Sequence, residues 1–241
     1  MGNIFKVFLS LSALTVLSSC DVFLAQNDDG FECESNLEKV YEKTSLNNFE
    51  QTKFKDLLAN RFPKYREMFE QASTQTTIDS DLLAAISFQE SQWDPRAKSN
   101  MGVRGMMMVT LETAAIVGVE KRLNPEQNIN GGAKYLAMLQ DRNIYGKTTA
   151  DQLSISLAKY NIGPTDIIKI AKEIGKAPEE ITWPDIENKL ENITGEDVNL
   201  IDVNGYSRGQ QAIDYVHRVS SYYKLLAAHS CTHPKDQLTF F

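Results

Sequence analysis

The chain has 241 residues, a formal net charge of −7 and 42% hydrophobic residues, with only 13 Gly and 7 Pro. That is the composition of a globular protein, and the acid excess argues against nucleic acid or an anionic lipid surface as the main partner. Helical periodicity runs through most of the chain and no strand-like alternation competes with it, so the expected fold class is all-α.

In chain order, residues 1–19 have the form of a secretory signal: a short start with one positive charge, then an apolar run from Val7 to Leu17 too short to span a bilayer. The run ends on Leu17, Ser18, Ser19 and Cys20, which resembles the bacterial lipobox, whose cysteine becomes the lipidated first residue of the mature protein. Asp21 resembles an inner-membrane retention signal, and the outer membrane stays open as an alternative. Residues 20–50 are polar and weakly patterned. They read as a lipidated N-terminus and tether, with a short helix near 37–43, and thirty residues reach at most ~100 Å when fully extended. With Cys20 set aside, Cys33 and Cys231 form an even pair in an oxidising compartment and are candidates for one disulfide. The tract around His229 and His233 has ligands two apart, which matches no usual zinc spacing, so no metal site is assigned.

Residues 51–230 read as one helical domain, and 231–241 as a C-terminal tail. Phe54, Leu57, Leu58 and Phe62 make one amphipathic run; Pro63 then suits the first position of a helix carrying Tyr65, Met68, Phe69 and Ala72. A helix over 78–91 ends near Pro95. Thr110 caps a helix reaching Gly118. Helices over 130–142, 152–160 and 165–174 follow, the last two separated by residues 161–164, and 210–228 closes the domain.

Within 78–91, Leu83, Ile86 and Glu90 fall at i, i+3 and i+7, so the glutamate continues the apolar stripe. A carboxyl group there has a raised pKa and stays protonated near neutral pH, as a general acid requires. The plain alternative is a helix-end glutamate turned to solvent. Four blocks in order decide between them: Glu90 with Ser91, the run SNMGVRGMMM from Ser99 to Met108, NINGGAKYL from Asn128 to Leu136, and YNIG from Tyr160, with Tyr215 standing in the last helix. Together they resemble the catalytic module of lytic transglycosylases, the lysozyme-like (goose-type, SLT) enzymes that cut bacterial peptidoglycan. The resemblance covers about residues 60–228. FPKYR from Phe62, the methionine block and GYSRG from Gly205 are similar to the membrane-bound F-type members, which usually carry a solute-binding-like domain before the catalytic one.

The resemblance implies an all-α fold with a substrate groove and a cell-envelope, periplasm-facing lipoprotein of a Gram-negative bacterium. Its partners would be peptidoglycan glycan strands and, through Cys20, a membrane. It implies no cofactor. Glu90 would protonate the glycosidic oxygen between N-acetylmuramic acid and N-acetylglucosamine, then accept the proton of the muramyl C6 hydroxyl as it closes a 1,6-anhydro ring. Ser99, Met107, Met108, Tyr160, Asn161 and Tyr215 would bind substrate around it, with Met106 completing a methionine wall. Asp94 is the nearest second carboxylate, and its place before Pro95 suits a turn better. Two other readings stand beside this one: a goose-type hydrolase using a positioned water, and a peptidoglycan-binding lipoprotein without turnover.

Overall fold

The apolar run beside Glu90 becomes the centre of the molecule. The structure, a computed structural model, describes residues 37–99, 102–192 and 207–230. The signal segment, Cys20, Cys33, Cys231 and the tail lie outside the described residues. Helix α1 covers 37–43. It is followed by α2 (Asn48–Asn60), a 3-10 turn (Phe62–Lys64), α3 (Arg66–Thr76), α4 (Ser80–Ser91), α5 (Leu111–Val117) and α6 (Pro125–Asp141). Then come α7 (Thr149–Ile162), α8 (Pro164–Glu173), a second 3-10 turn (Pro178–Glu180), α9 (Trp183–Glu191) and α10 (Arg208–His229). Among the described residues no strand forms; two isolated bridges pair Lys98 with Arg104 and Arg104 with Val109.

Helix α4 is buried all round, not along one stripe: every residue from Leu82 to Phe88 is inaccessible. A helix apolar on all faces must be covered on all faces, and α10 packs along it while α3 and α6 close other sides. The C-terminal half of α4 is clamped by an aromatic cluster. Phe88 lies 4.7 Å from Trp93 and 4.5 Å from Tyr222, and Phe62 lies 4.8 Å from Trp93, ring centre to ring centre. The Trp93 indole is fully buried and donates its N–H to Ala84 O at 2.9 Å, so its one polar group is satisfied.

Helix starts follow side-chain caps. Asn124 accepts from the Gln127 amide, Thr148 pairs with Asp151 and Thr182 with Asp185 in reciprocal boxes. Those caps begin α6 at Pro125, five residues before the start expected from apolar spacing, and create α9, which the periodicity reading leaves unassigned. Pro63 sits in the 3-10 turn, and α3 proper starts at Arg66. The break between α7 and α8 is the single residue Gly163.

The domain begins earlier than position 51. Tyr41 and Leu46, placed in the tether by the sequence reading, are buried in the core. Tyr41 hydrogen-bonds His229 at 2.8 Å and Ser45 meets Ser221 at 3.3 Å, so this segment is strapped to α10. No helix among the described residues is long and apolar enough to cross a membrane.

Candidate active site

Glu90 sits in the last turn of α4, half-buried. The helix stops one residue later because Gln92 and Trp93 both adopt left-handed backbone, φ 54° and 59°. The Arg61 guanidinium donates to Gln92 O at 2.9 Å and holds that reversal. Burial pushes the Glu90 carboxyl from 4.5 up to about 7, against a smaller downward pull from the hydrogen bond it accepts from Tyr215. A carboxylate at a helix C-terminus also faces the negative end of the helix dipole, which acts in the same direction as burial.

The Tyr215 hydroxyl donates to Glu90 Oε1 at 2.8 Å, across the α10–α4 contact. The Tyr215 and Tyr160 phenols are held well above their usual range by burial first and then by the charge of Glu90, so both stay neutral donors. Tyr160, at the end of α7, spends its proton on Met107 O at 2.8 Å. Only its lone pairs are left for the groove. Tyr135 of α6 stacks obliquely on it, ring centres 5.5 Å apart.

The methionine block is a loop fixed from three sides. Ser87 and Ser91 of α4 both donate to Met106 O, at 3.1 and 2.8 Å. The Asn128 carbonyl takes the Met107 amide at 2.7 Å, and its amide donates to Arg104 O and Arg122 O at 3.0 and 2.8 Å. Tyr160 makes the third attachment. Gly105 turns the loop at φ 84°, where an added Cβ would strike Arg122 O and the Asn128 side chain. Gly132 lets Met107 lie against α6; a Cβ there would come within 2.6 Å of Met107 Cβ.

This geometry corrects one expectation and sharpens others. Met106 and Met107, expected on the groove wall, are fully buried, and the Met107 side chain faces Gly132. Met108 alone stays half-buried, at φ 47°. Ser99 Oγ is enclosed yet has no hydrogen-bond partner among the described residues. Asn161 is exposed in the last turn of α7. Tyr160 and Tyr215 are gathered around Glu90, whereas Ser99 and Asn161 make no hydrogen bond to it. Asp94 accepts from the Arg96 amide at 2.9 Å, the local turn role expected of it. His229 is engaged by Tyr41, and among the described residues no three His, Cys, Asp or Glu side chains form a metal-binding group. Ser87, Asn128 and Arg61 carry no functional expectation from the sequence. For Ser87 and Arg61 the only signal is polarity at otherwise apolar or capping positions, whereas Asn128 opens the NINGGAKYL block.

Burial thus leaves the Glu90 carboxyl near neutrality at the end of α4, beside the buried Tyr215 and the half-buried Tyr160, on an all-helical scaffold. Residues 67–182 match the family model of the transglycosylase SLT domain, so the chain carries that domain. It is similar to membrane-bound lytic murein transglycosylase F 2 of Alkalilimnicola ehrlichii, 39% identical over 68% of this chain and 37% of the relative. It is also similar to membrane-bound lytic murein transglycosylase F of Pseudoalteromonas translucida, 42% identical over 71% of this chain and 36% of the relative. The chain thus spans little more than a third of the length of these curated relatives. The 70 kDa soluble lytic transglycosylase Slt70 of Escherichia coli shares the fold, with a TM-score of 0.51 at 21% identity over 69% of this chain and 24% of that one.

Proposed function

We propose that the chain is a lytic transglycosylase that cuts the β-1,4 bond between N-acetylmuramic acid and N-acetylglucosamine in peptidoglycan without consuming water. The observation that carries this reading is the state of Glu90: a carboxyl brought to about 7 by burial, with a tyrosine hydroxyl as its partner. An acid of that pKa is protonated often enough to give its proton to the leaving oxygen and ionised easily enough to take one back. Both halves of an intramolecular displacement need only this one group. The muramyl C6 hydroxyl attacks C1 of its own sugar, the C1–O bond to the leaving N-acetylglucosamine breaks, and Glu90 transfers the C6 proton to the outgoing oxygen over the cycle. A hydrolase built on two carboxylates would need a second one aimed at the same bond, and Asp94 is engaged with its own loop.

The substrate groups follow from what the protein leaves free. Ser99 Oγ, enclosed and unbonded, is a donor awaiting a ligand acceptor. Met108 offers an apolar face to a sugar ring, Tyr160 offers lone pairs, and Tyr215 orients the acid. Asn161, exposed in the last turn of α7 and next to Tyr160 in sequence, is proposed as a further contact to the glycan. We place the protein at the cell envelope, attached through a lipid on Cys20. Cys33 and Cys231 are proposed as a disulfide, since the Tyr41–His229 contact brings neighbouring parts of the chain together.

Mass spectrometry of muropeptides released from purified sacculi tests the reaction. Products ending in 1,6-anhydromuramic acid, one water lighter than reducing ends, are expected from the wild type and absent with Glu90→Gln. Reducing ends would instead make the protein a hydrolase.

A further inference from the structure

Three cations, Lys98, Arg104 and Arg122, stand on segments whose backbones meet at the loop that bears Met108. Arg104 pairs backbone-to-backbone with Lys98 on one side and Val109 on the other. Arg122 reaches in from the loop before α6 and donates through one nitrogen to Gly102 O and Val109 O, at 2.9 and 3.0 Å. The Arg104 and Arg122 carbonyls share the same Asn128 amide nitrogen, which fixes the two backbones side by side. In a chain of net charge −7, none of the three has a carboxylate within ion-pair distance among the described residues. The Arg104 guanidinium makes no hydrogen bond among the described residues, and its Nε is enclosed without an acceptor. A buried guanidinium N–H left unpaired calls for a ligand to supply the acceptor.

The face on which they stand narrows the ligand. Residues opposite one another in an antiparallel bridge point to the same side, and successive residues alternate. Lys98 and Arg104 therefore share a side that Ser99 does not. The glycan, uncharged along its sugar hydroxyls and acetamides, belongs with Ser99 and Met108; the cations stand around the corner from it. Yet Arg104 forms a hydrogen-bonded backbone pair with Val109, the residue after Met108, a pairing that sets the two Cα atoms about 5.5 Å apart. A group that branches from the sugar next to the scissile bond and carries negative charge would reach them.

Resting on the reading of the groove as a peptidoglycan site, we propose that Lys98, Arg104 and Arg122 bind the carboxylates of the peptide stem borne by the muramyl residue. The enzyme then distinguishes peptide-bearing strands from bare glycan by this edge, while Glu90 and its tyrosines act on the sugar alone. Arg104 supplies the fork suited to a carboxylate, and exposed Lys98 adds a point charge.

The test uses the full chain with Glu90→Gln, which binds without turnover, and two ligands: a disaccharide-tetrapeptide and the same compound with its stem carboxylates amidated. Calorimetry is expected to show about tenfold tighter binding of the acidic ligand, a gain that shrinks with salt, since exposed charge pairs contribute modestly each and are screened. Adding Arg104→Gln should bring the acidic ligand down to the amidated one and leave the amidated one where it was; Arg104→Lys should restore part of the gain. Lys98→Gln, at an exposed position, gives the same direction of change without threatening the fold. Equal binding of the two ligands, a gain that survives these substitutions, or no binding of either ligand overturns the proposal. A wild-type chain that releases no anhydro products while keeping the carboxylate preference would overturn the lyase reading and leave this one standing.

Discussion

At the scale of single residues the proposed chemistry turns on the proton of Glu90. With the carboxyl near 7, the acid form predominates below neutrality, so kcat/KM should fall as pH rises through about 7. Tyr215→Phe removes the donor that favours the carboxylate; the group then holds its proton more tightly, and the basic limb should move to higher pH. Because the return step needs the carboxylate as base, kcat should also drop, on the order of tenfold for one lost hydrogen bond to a charged group. A pH profile of both proteins on sacculi reads the two effects together, and an unmoved basic limb would detach Tyr215 from the titration. The same shift has a cost for the fold. An acid whose folded pKa lies above its unfolded value destabilises the native state as pH rises from about 4.5 to 7, and the full penalty remains above 7. Glu90→Gln should therefore raise stability at pH 8 by roughly 2 kcal/mol after allowance for partial exposure, and by nothing at pH 4, where both states are protonated. Thermal melts at the two pH values check the sign.

The element that decides whether this chemistry has a place to occur is the loop from Arg104 to Val109. It has no ladder of its own, only two isolated bridges, so its shape depends on Ser87, Ser91, Asn128 and Tyr160. Asn128 is the heaviest of these attachments. Asn128→Ala would orphan the Met107 amide and two carbonyls at once, a loss of about 3 kcal/mol given the usual cost of unpaired buried groups. The variant should melt earlier and exchange the Met107 amide faster, with kcat falling more than binding. Retention of slow exchange there would show that the loop holds itself. The loop also marks how far the sequence could be read. The gathering of Glu90, Tyr160 and Tyr215 was legible because the first two lie in recognisable blocks, Tyr215 matches a tyrosine of the last helix, and the apolar stripe predicts a raised pKa for Glu90. The inward turn of Met107 was not, since a run of three methionines has no period to tell wall from core; the answer lies in Gly132, a neighbour in space alone. Helix starts were misjudged where apolar spacing was followed in preference to caps: Thr182 and Asp185 announce α9, and Asn124 with Pro125 announces α6, more clearly than their hydrophobic residues do.

At the scale of the whole molecule, α10 links residues 41–46 to the candidate active site. Its first half carries Tyr215 against Glu90, and its last turn carries His229 against Tyr41, about 21 Å along the same helix. The strap is more than one contact: Leu46 is buried, Ser45 meets Ser221, Arg218 pairs with Glu50 at 3.2 Å, and Lys55 lies 4.1 Å over the Tyr41 ring. This segment looked like tether because eleven residues with one Tyr and one Leu at their buried points carry almost no periodic signal; their burial is imposed by the surface of α10. Removing residues 1–47 would expose the sites of Tyr41 and Leu46 and forfeit roughly 4 kcal/mol of apolar burial. In a domain of this size that lowers the melting temperature by about 10 °C. Tyr41→Phe keeps the burial and loses only the bond to His229, so its melt should fall by a few degrees at most. The ordering of the three melts separates packing from hydrogen bonding, and equal melts for the full and shortened chains would return residues 37–47 to the tether. If the shortened chain melts early yet cleaves sacculi normally at 25 °C, the strap serves the fold alone. A fall in cleavage at a temperature where the shortened chain is still folded would mean that α10 transmits the loss to Tyr215, and the N-terminal segment would then be part of what holds the acid in register.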